Sequence, residues 1–333
     1  MKKDSIIIAF AVNDDYVPYL EVAITSIVDN ASSDKIYEIY ILYKNLLDDN
    51  KEKICQLING IEIFSVEFLC VSEYFNMQLY VGNNGIQYLS EETYYRLALT
   101  ELLPRFKKVI YLDCDIVVLS DIAELFEYEI NDYYFAAVSD IADNWKCYAD
   151  KSDVYIYRKN ELSMNDPKKY FNAGVLLINL EKMRNDYSVN DLLNIAQSRK
   201  WEKHDQDVLN MIAKGKVNWL DIQWNLIECC NIEKMPVEDR EYYFSQQKFP
   251  KIIHFASRKP WIFSDVYGQE IFWKYASWTP DYMKCIKSIS GGEQLRDSRV
   301  LQRNLLKAIE EKNIGLPFLI SIIKTWLRIK LKM

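Results

Sequence analysis

The stretch Val109–Val118, VIYLDCDIVV, decides how the rest of the chain is organised. Apolar side chains fill both ends of it, and two carboxylates, Asp113 and Asp115, stand in the middle with only Cys114 between them. An apolar run of this length is typical of a strand that is buried on both faces in a parallel sheet. Side chains two positions apart in an extended segment point the same way, so both carboxylates should project together near the carboxyl end of one strand.

Two like charges in an apolar strand are costly unless a cation lies between them. A divalent cation with oxygen ligands meets that requirement, so Asp113 and Asp115 are candidate metal ligands. The pattern alone is weak evidence, because a second such triplet occurs at Asp205–Asp207. Cys114 should point to the opposite face and pack as a small apolar residue.

Length and composition bound the class of protein. The chain has 333 residues, half of them hydrophobic, which is enough for one large or two smaller cores. Glycine (9) and proline (8) are sparse, which argues against a long flexible linker. The seven cysteines are odd in number and lack a C-x-x-C spacing, so they fit neither a disulfide framework nor a zinc cluster and favour a reducing cytoplasm. The short apolar run near the N-terminus indicates a first strand rather than a signal peptide.

The C-terminal segment differs from the rest in charge. The net charge is −7, yet from Met283 onward 11 lysines and arginines accompany only 4 acidic residues. An acidic body with a basic tail is not the pattern of a nucleic-acid binder. Residues 316–323 are apolar but too few to span a bilayer, and basic residues follow them. We therefore expect residues 281–333 to be helical and to lie on an anionic membrane surface; the alternative is a helix packed on the body.

The N-terminal part alternates between strand and helix patterns. Strands are predicted at 5–12, 37–43 and 61–68, and helices at 17–28 and 48–58. This βαβαβ order predicts an α/β fold with a mostly parallel sheet and right-handed crossovers. Nucleotides bind such sheets beyond the carboxyl ends of the strands, where the turn Asn13–Asp15 lies. That turn has no G-x-G-x-x-G pattern, which disfavours a dehydrogenase.

The middle of the chain continues with a helix at 91–103 that carries Arg96, a short strand at 135–138 that precedes Asp140, and polar loops at 144–168. A buried strand follows at 170–180, in which the small residues Ala173 and Gly174 allow a neighbour or a ligand to approach the backbone closely. A helix is predicted at 181–199.

Two later motifs add candidates for chemistry. His204–Asp207, HDQD, opens an amphipathic helix; carboxylates in a first turn also have a simple explanation, because they complement the helix dipole. His254 ends a short apolar strand, just as the Asp pair does, and is therefore a candidate third ligand. Lys259 would supply positive charge nearby.

In combination and order, the motifs FAVNDDYVPYL, TYYRLAL, KVIYLDCDIVV, YFNAGVLLINL, HDQDVLN and HFASRKPW resemble glycosyltransferase family 8. This family includes bacterial lipopolysaccharide galactosyl- and glucosyltransferases and the glycogenins. The resemblance implies a GT-A fold over residues 1–280 and a retaining transfer of galactose or glucose from a UDP-sugar, with Mn²⁺ or Mg²⁺. It also implies a glycan or lipid-linked saccharide acceptor and a location on the cytoplasmic face of the cell membrane.

The resemblance implies a role for individual residues. Metal ligands would be Asp113, Asp115 and His254. The donor would contact Ala11, Asn13, Asp15, Arg96, Asp113, Cys114, Asp115, His254, Ser257 and Lys259. The pocket around the transferred sugar, with the catalytic groups, would contain Asp140, Asn172, Asp205 and Gln206. Because an amide is a poor nucleophile, Gln206 beneath the anomeric carbon favours front-face attack over a covalent intermediate.

Three alternatives remain at this stage. A sugar nucleotidyltransferase uses a similar sheet, but its glycine-rich, basic N-terminal loop is absent here. A catalytically silent nucleotide-sugar binder at the membrane is possible, although the candidate metal ligands argue against it. A self-glucosylating or protein-glycosylating enzyme like glycogenin is compatible with the 24 tyrosines of the chain.

Overall fold

The computed structural model describes residues 5–76, 79, 90–148 and 152–288. The strands are β1 (Ser5–Ala11), β2 (Ile36–Tyr43), β3 (Phe64–Cys70), β4 (Lys108–Leu112), β5 (Ile116–Val118), β6 (Phe135–Ser139), β7 (Phe171–Asn179), β8 (Val217–Trp219), β9 (Leu226–Ile227) and β10 (Ile252–His254). The α-helices are α1 (Val17–Asn30), α2 (Asp48–Gln56), α3 (Leu99–Leu102), α4 (Ala123–Phe126), α5 (Ile141–Asn144), α6 (Asp153–Asn160), α7 (Leu180–Asp186), α8 (Val189–Gln197), α9 (Asp205–Ala213), α10 (Val237–Gln246) and α11 (Gln269–Ala276).

Seven strands form the central sheet, in the order β3-β2-β1-β4-β7-β6-β8. β1, β2, β3 and β4 pair in parallel, as do β6 and β8, whereas β7 runs antiparallel to both of its neighbours. The predicted mostly parallel α/β sheet is therefore confirmed. Its N-terminal half follows from the βαβαβ alternation, since each crossover helix returns the chain to the same edge of the sheet.

The reversed strand β7 has a direct consequence for the site. Because β7 runs the other way, its first residues lie beside the last residues of its neighbours: Val175 is opposite Leu112 of β4, and Phe171 is opposite Ser139 of β6. The start of β7 therefore meets the two chain segments that follow β4 and β6. Asn172, Ala173 and Gly174 are placed at that meeting point.

The prediction of one strand over residues 109–118 is wrong. β4 ends at Leu112, and β5 belongs to a second sheet with the order β5-β10-β9. Between the two strands, the Asp113 N–H donates to the Gly174 carbonyl at 2.8 Å, and the Asp115 carbonyl accepts from the Phe255 N–H at 2.9 Å. The chain thus changes sheets at the two aspartates, and β5 pairs antiparallel with β10 so that Ile116 lies opposite His254.

Three further expectations need correction. The predicted loops at 144–168 contain α6, which Ser152 caps by accepting the Tyr155 N–H. The predicted helix at 181–199 is two helices, because the backbone is extended at Tyr187 and a capping box between Ser188 and Asp191 starts a new helix. The predicted helix at 91–103 is a 3₁₀ helix, Glu91–Ala98, that continues into the short α3.

The core has a cluster on each face of the central sheet and a third, smaller cluster. In the third cluster Tyr19 of α1 stacks on Trp261 with ring centroids 3.6 Å apart, and Cys285 is buried. The helical residues 282–288 pack here, and the Tyr19 hydroxyl donates to Ser288 Oγ at 3.2 Å. Among the described residues, no helix is long and apolar enough to cross a bilayer. The tail predicted to bind membranes lies outside the described residues from 289 onward.

Candidate active site

Asp113, Asp115 and His254 form a candidate metal centre. One ligand atom from each lies within 4.8 Å of the other two. His254 Nε2 is 3.2 Å from Asp115 Oδ1 and 3.7 Å from Asp113 Oδ2. Two carboxylates and an imidazole form a donor set suited to Mn²⁺ or Mg²⁺. The three residues predicted as ligands are thus brought together, across a separation of 139–141 residues in the chain.

Gly174 makes this approach possible. A Cβ atom at this position would lie 2.2 Å from His254 Cε1 and 2.7 Å from Asp113 Oδ2, closer than real side chains pack. The absence of a side chain at position 174 therefore lets His254 approach the backbone of β7, in agreement with the close approach that the sequence predicts.

Arg96 links the metal centre to the helix that begins at Asp205. Its side chain is buried, with Nη2 2.9 Å from Asp113 Oδ1 and Nε 3.0 Å from Asp205 Oδ2. The guanidinium also donates to the Ala173 carbonyl and lies over the Tyr111 ring. Burial alone would lower the pKa of Arg96, but the two aspartates and Tyr111 outweigh this effect and raise the pKa above its usual value. The buried charge is therefore permanent and paired.

Lys259 reaches the metal centre from the segment that follows β10. Its ammonium contacts Asp115 Oδ2, and Asp115 is only 8% exposed. Burial alone would raise the pKa of Asp115, but the nearby Lys259 and His254 hold it well below its usual range. The Asp115 carboxylate is therefore ionised at neutral pH.

Asp140, Asp205 and Gln206 lie near the start of β7, where Gln206 contacts Ala173 and Asp140 and where Asp205 pairs with Arg96. Gln206 Nε2 donates to Asp140 Oδ2 at 2.9 Å, and its Oε1 accepts the Ala173 N–H at 2.9 Å. Both ends of the Gln206 amide are therefore held in place.

The two aspartates have raised pKa values. Burial raises the pKa of Asp140, and the neighbouring Asp143 adds to the effect. Burial likewise raises the pKa of Asp205 to about 6, against the opposing effect of Arg96.

Asp207, the last residue of the HDQD motif, faces away from this group. Its carboxylate accepts the Tyr157 and Tyr170 hydroxyls at 2.7 and 2.6 Å, and also the Lys203 N–H at 2.8 Å. These contacts tie the start of α9 to α6 and β7. Asp207 is thus a structural residue, and its part goes beyond complementing the helix dipole.

The turn Asn13–Asp15 borders a separate cleft of about 420 Å³, lined by Asn13, Asp14, Asp15, Lys44, Asn45, Glu91, Glu92 and Tyr95. Asn13 Oδ1 accepts the Tyr16 N–H and so caps a 3₁₀ helix, while Asp15 is exposed. Lys44, which the sequence did not single out, projects here and pairs with Glu91 at 3.1 Å. Tyr95 of this cleft and Arg96 of the metal centre are neighbours in the same 3₁₀ helix.

Three residues predicted to contact the donor, Ala11, Cys114 and Ser257, also make contacts within the protein. Cys114 packs in the core, and its thiol donates to the Ala11 carbonyl at 3.2 Å, which holds β1 against the loop of the two aspartates. Ala11 itself is 9% exposed. The Ser257 hydroxyl donates to the Glu228 carbonyl at 3.4 Å. In this structure the side chains of Cys114 and Ser257 thus contact backbone carbonyls.

One buried residue near the metal centre was missed by sequence reasoning. Asn225, 1% exposed, has its Oδ1 2.8 Å from His254 Nδ1, and its Nδ2 donates to Asn172 Oδ1 at 2.9 Å. Asn172, which the sequence assigned to the sugar pocket, also accepts the Gly174 N–H at 2.9 Å. No local pattern around Asn225 signals this contact, because its partners lie 29 and 53 residues away.

The chain was compared with known proteins. The family model described as glycosyl transferase family 8 matches residues 7–264. General stress protein A of Bacillus subtilis is 27% identical over 272 residues, which are 78% of this chain and 89% of that protein. The lipopolysaccharide 1,2-glucosyltransferase of Escherichia coli is 25% identical, with 85% of this chain and 81% of that protein covered. A crystal structure of the galactosyltransferase LgtC with donor and acceptor sugar analogues superposes with a TM-score of 0.65 at 24% identity, covering 83% of this chain and 96% of that one. This last similarity concerns the fold, which is GT-A.

Proposed function

Because the chain belongs to glycosyl transferase family 8 and is a glycosyltransferase, we propose that it is a retaining enzyme that transfers galactose or glucose from a UDP-sugar. We further propose that the acceptor is a glycan of lipopolysaccharide or of another cell-surface polysaccharide. The name of the Escherichia coli relative supports this choice of acceptor.

The observation that carries the proposal is the convergence of acidic and basic groups beyond the carboxyl end of β4. Asp113 and Asp115 from the loop and His254 from the second sheet come together there, and Arg96 from the 3₁₀ helix pairs with Asp113. Carboxyl ends of parallel strands are where nucleotides bind in open α/β sheets. A nucleoside diphosphate at this position would lie against both cations, Arg96 and Lys259.

The residues present fit a divalent metal. His254 Nε2 faces both carboxylates, Gly174 leaves room for that approach, and the ligand atoms are oxygen and imidazole nitrogen. Asp113, Asp115 and His254 would hold Mn²⁺ or Mg²⁺, which as a Lewis acid neutralises the charge that develops on the leaving UDP. Lys259 adds a fixed positive charge on the same side.

The chain's own groups favour front-face attack. A covalent intermediate needs a free nucleophile beneath the anomeric carbon, yet the Gln206 carbonyl oxygen already accepts a backbone N–H. Asp205 is paired with Arg96 and 4% exposed, so it is poorly placed to attack and better placed to bind sugar hydroxyls. We therefore propose that the departing phosphate accepts the acceptor's proton. A glycosyl adduct trapped on Asp205 or Gln206 during turnover would refute this part of the proposal.

We also propose that the protein works at the cytoplasmic face of the membrane. The support comes from the sequence, in which residues 316–323 are apolar and four basic residues follow. Such a segment suits a helix in the interface of an anionic bilayer, where a lipid-linked acceptor is found.

The decisive experiment is a panel of nucleotide sugars tested for metal-dependent hydrolysis. UDP-galactose or UDP-glucose should be hydrolysed slowly in Mn²⁺ and not in EDTA, and nucleotide sugars with other bases should not be. Asp115→Asn is the matched variant, because it keeps the size of the side chain and removes its charge. Failure of every donor to bind or react would overturn the proposed function, and release of pyrophosphate from UTP would indicate a nucleotidyltransferase.

A further inference from the structure

Asn225 and Asn172 connect His254 to a backbone N–H of β7. The three contacts are Gly174 N–H to Asn172 Oδ1 at 2.9 Å, Asn225 Nδ2 to Asn172 Oδ1 at 2.9 Å, and Asn225 Oδ1 to His254 Nδ1 at 2.8 Å. All four residues lie at the inner edge of the site, and Asn225 and His254 are 1% and 2% exposed. Water therefore has little access with which to replace any of these partners.

The chemistry of the groups fixes each orientation in turn. A backbone N–H can only donate, so the Asn172 atom that faces Gly174 must be the carbonyl oxygen. That oxygen can then only accept from Asn225, so the atom of Asn225 that faces Asn172 is its NH₂ group. The other end of Asn225 is consequently its carbonyl oxygen, which requires a proton on His254 Nδ1. Nδ1 of His254 must therefore carry a proton, which leaves Nε2, the nitrogen that faces Asp113 and Asp115, as the one that can bind a metal.

We propose that Asn225 is a positioning residue that sets the tautomer and the ring orientation of His254 for metal binding, and that Asn172 acts through it. This inference rests on the metal site of the proposed function. Metal-bound histidines commonly donate their other ring N–H to a carboxylate or carbonyl, and loss of that partner weakens metal binding about 10–100-fold. Here the usual acceptor is replaced by an amide whose direction is set by the backbone of β7.

The inference also assigns a different part to Asn172. Its carbonyl oxygen is occupied by two donors, so only its NH₂ group is left for a sugar hydroxyl. Because the carbonyl orients Asn225, replacing Asn172 should lower metal affinity as well as turnover.

The first test uses the unaltered, metal-free protein. The chain has only two histidines, so long-range ¹H–¹⁵N correlation spectra of ¹⁵N-histidine-labelled protein resolve both rings, and a His204→Asn variant assigns them. We expect Nδ1 of His254 to be protonated, whether or not Nε2 also carries a proton. An unprotonated Nδ1 would overturn the proposal, whatever the metal does.

The second test follows Mn²⁺ binding by the electron paramagnetic resonance signal of the free ion. Asn225→Leu should bind Mn²⁺ about 10–100-fold more weakly, whereas Asn225→Asp, which still accepts from Nδ1 but can no longer donate to Asn172, should lose less affinity than Asn225→Leu. Equal Mn²⁺ affinity in Asn225→Leu and the unaltered protein would overturn the proposal, and so would equal losses in both variants. If the unaltered protein binds no Mn²⁺, the metal part of the proposed function fails, while the tautomer in the first test still decides the role of Asn225.

Discussion

Gly174 offers a sharp perturbation of the metal centre, because alanine adds one methyl group at the point of closest approach. That methyl carbon would lie 2.2 Å from His254 Cε1, whereas ordinary van der Waals contact begins at 3.4 Å. The imidazole or β7 must therefore give way by about 1.2 Å, the difference between these two distances. Metal–ligand distances tolerate only about 0.2 Å, so a displacement of this size removes Nε2 as a ligand.

The expected cost has two parts. Overpacking a filled interior destabilises a protein by about 1–3 kcal/mol, which denaturant unfolding of Gly174→Ala should detect. Loss of one of three protein ligands should weaken Mn²⁺ binding by more than the roughly 10–100-fold that is typical of an outer partner. Metal-dependent hydrolysis of the donor should fall in parallel.

A matched control separates stability from metal binding. Gly60→Ala also replaces a glycine, and it is destabilising for another reason: Gly60 has φ +80 with no atom within 4 Å of the added methyl group. A left-handed alanine costs about 1–2 kcal/mol, so the two variants should lose similar stability. Only Gly174→Ala should lose Mn²⁺ affinity. Unchanged affinity in a folded Gly174→Ala protein would refute the reasoning, since it would mean that His254 is not held against Asp113.

Other consequences are testable in the same way. Asp115→Asn should reduce metal-dependent donor hydrolysis by about 10²–10³-fold, in the range found for loss of one preorganised electrostatic group, and hydrolysis that persists at the original rate would exclude Asp115 as a ligand. Glu21 is fully buried beside Asp281. Burial, and to a smaller extent the charge of the Asp281 carboxylate, raises the pKa of Glu21 to about 7. Because the pKa of Glu21 is higher in the folded state than its unfolded value of about 4.5, its contribution to stability is fully present below pH 4.5 and is lost as the pH rises through 7. The free energy of unfolding of Glu21→Gln should therefore equal that of the unaltered protein near pH 4 and exceed it by about 1–3 kcal/mol near pH 8. A constant difference across this pH range would contradict the assignment. Co-sedimentation with vesicles of anionic lipid should fall when glutamates replace the four basic residues of the tail, Lys324, Arg328, Lys330 and Lys332. Neutral vesicles are the control. If the variant and the unaltered protein bind anionic vesicles equally, the tail is not an electrostatic anchor.

The sequence predicts the N-terminal half of the fold well, for a local reason. β1, α1, β2 and α2 each have a clear hydrophobic period and short polar connections, so local pattern and tertiary structure agree. The stretch 109–118 is the instructive exception. Its apolar pattern is the same on both sides of the aspartates, and the change of sheet depends on partners far away, β7 for the first half and β10 for the second. No local signal records which sheet a short apolar segment will join.

The candidate site was predictable to the extent that its residues stand at the ends of strands or helices. Asp113, Asp115 and His254 all follow or end apolar runs, and Asp205 and Gln206 open a helix. Asn225 has no such position, since it lies in a 3₁₀ turn before the two-residue strand β9. Its role depends on hydrogen-bond partners that only the folded chain brings together. Residues that orient a site through buried contacts are for this reason harder to predict than residues that line it.

The charges of the site explain why we connect donor binding with a metal. Three carboxylates, those of Asp113, Asp115 and Asp205, face two basic side chains, Arg96 and Lys259. Among these five side chains the acidic groups therefore outnumber the basic ones by one where a diphosphate would bind, in a partly buried region where Coulomb forces are stronger than in water. A divalent cation reverses the sign of that charge and makes the site complementary to an anion. Arg96 and Lys259 offset two of the three carboxylates, and the negative charge that is left makes a nucleotide without a metal a poor ligand.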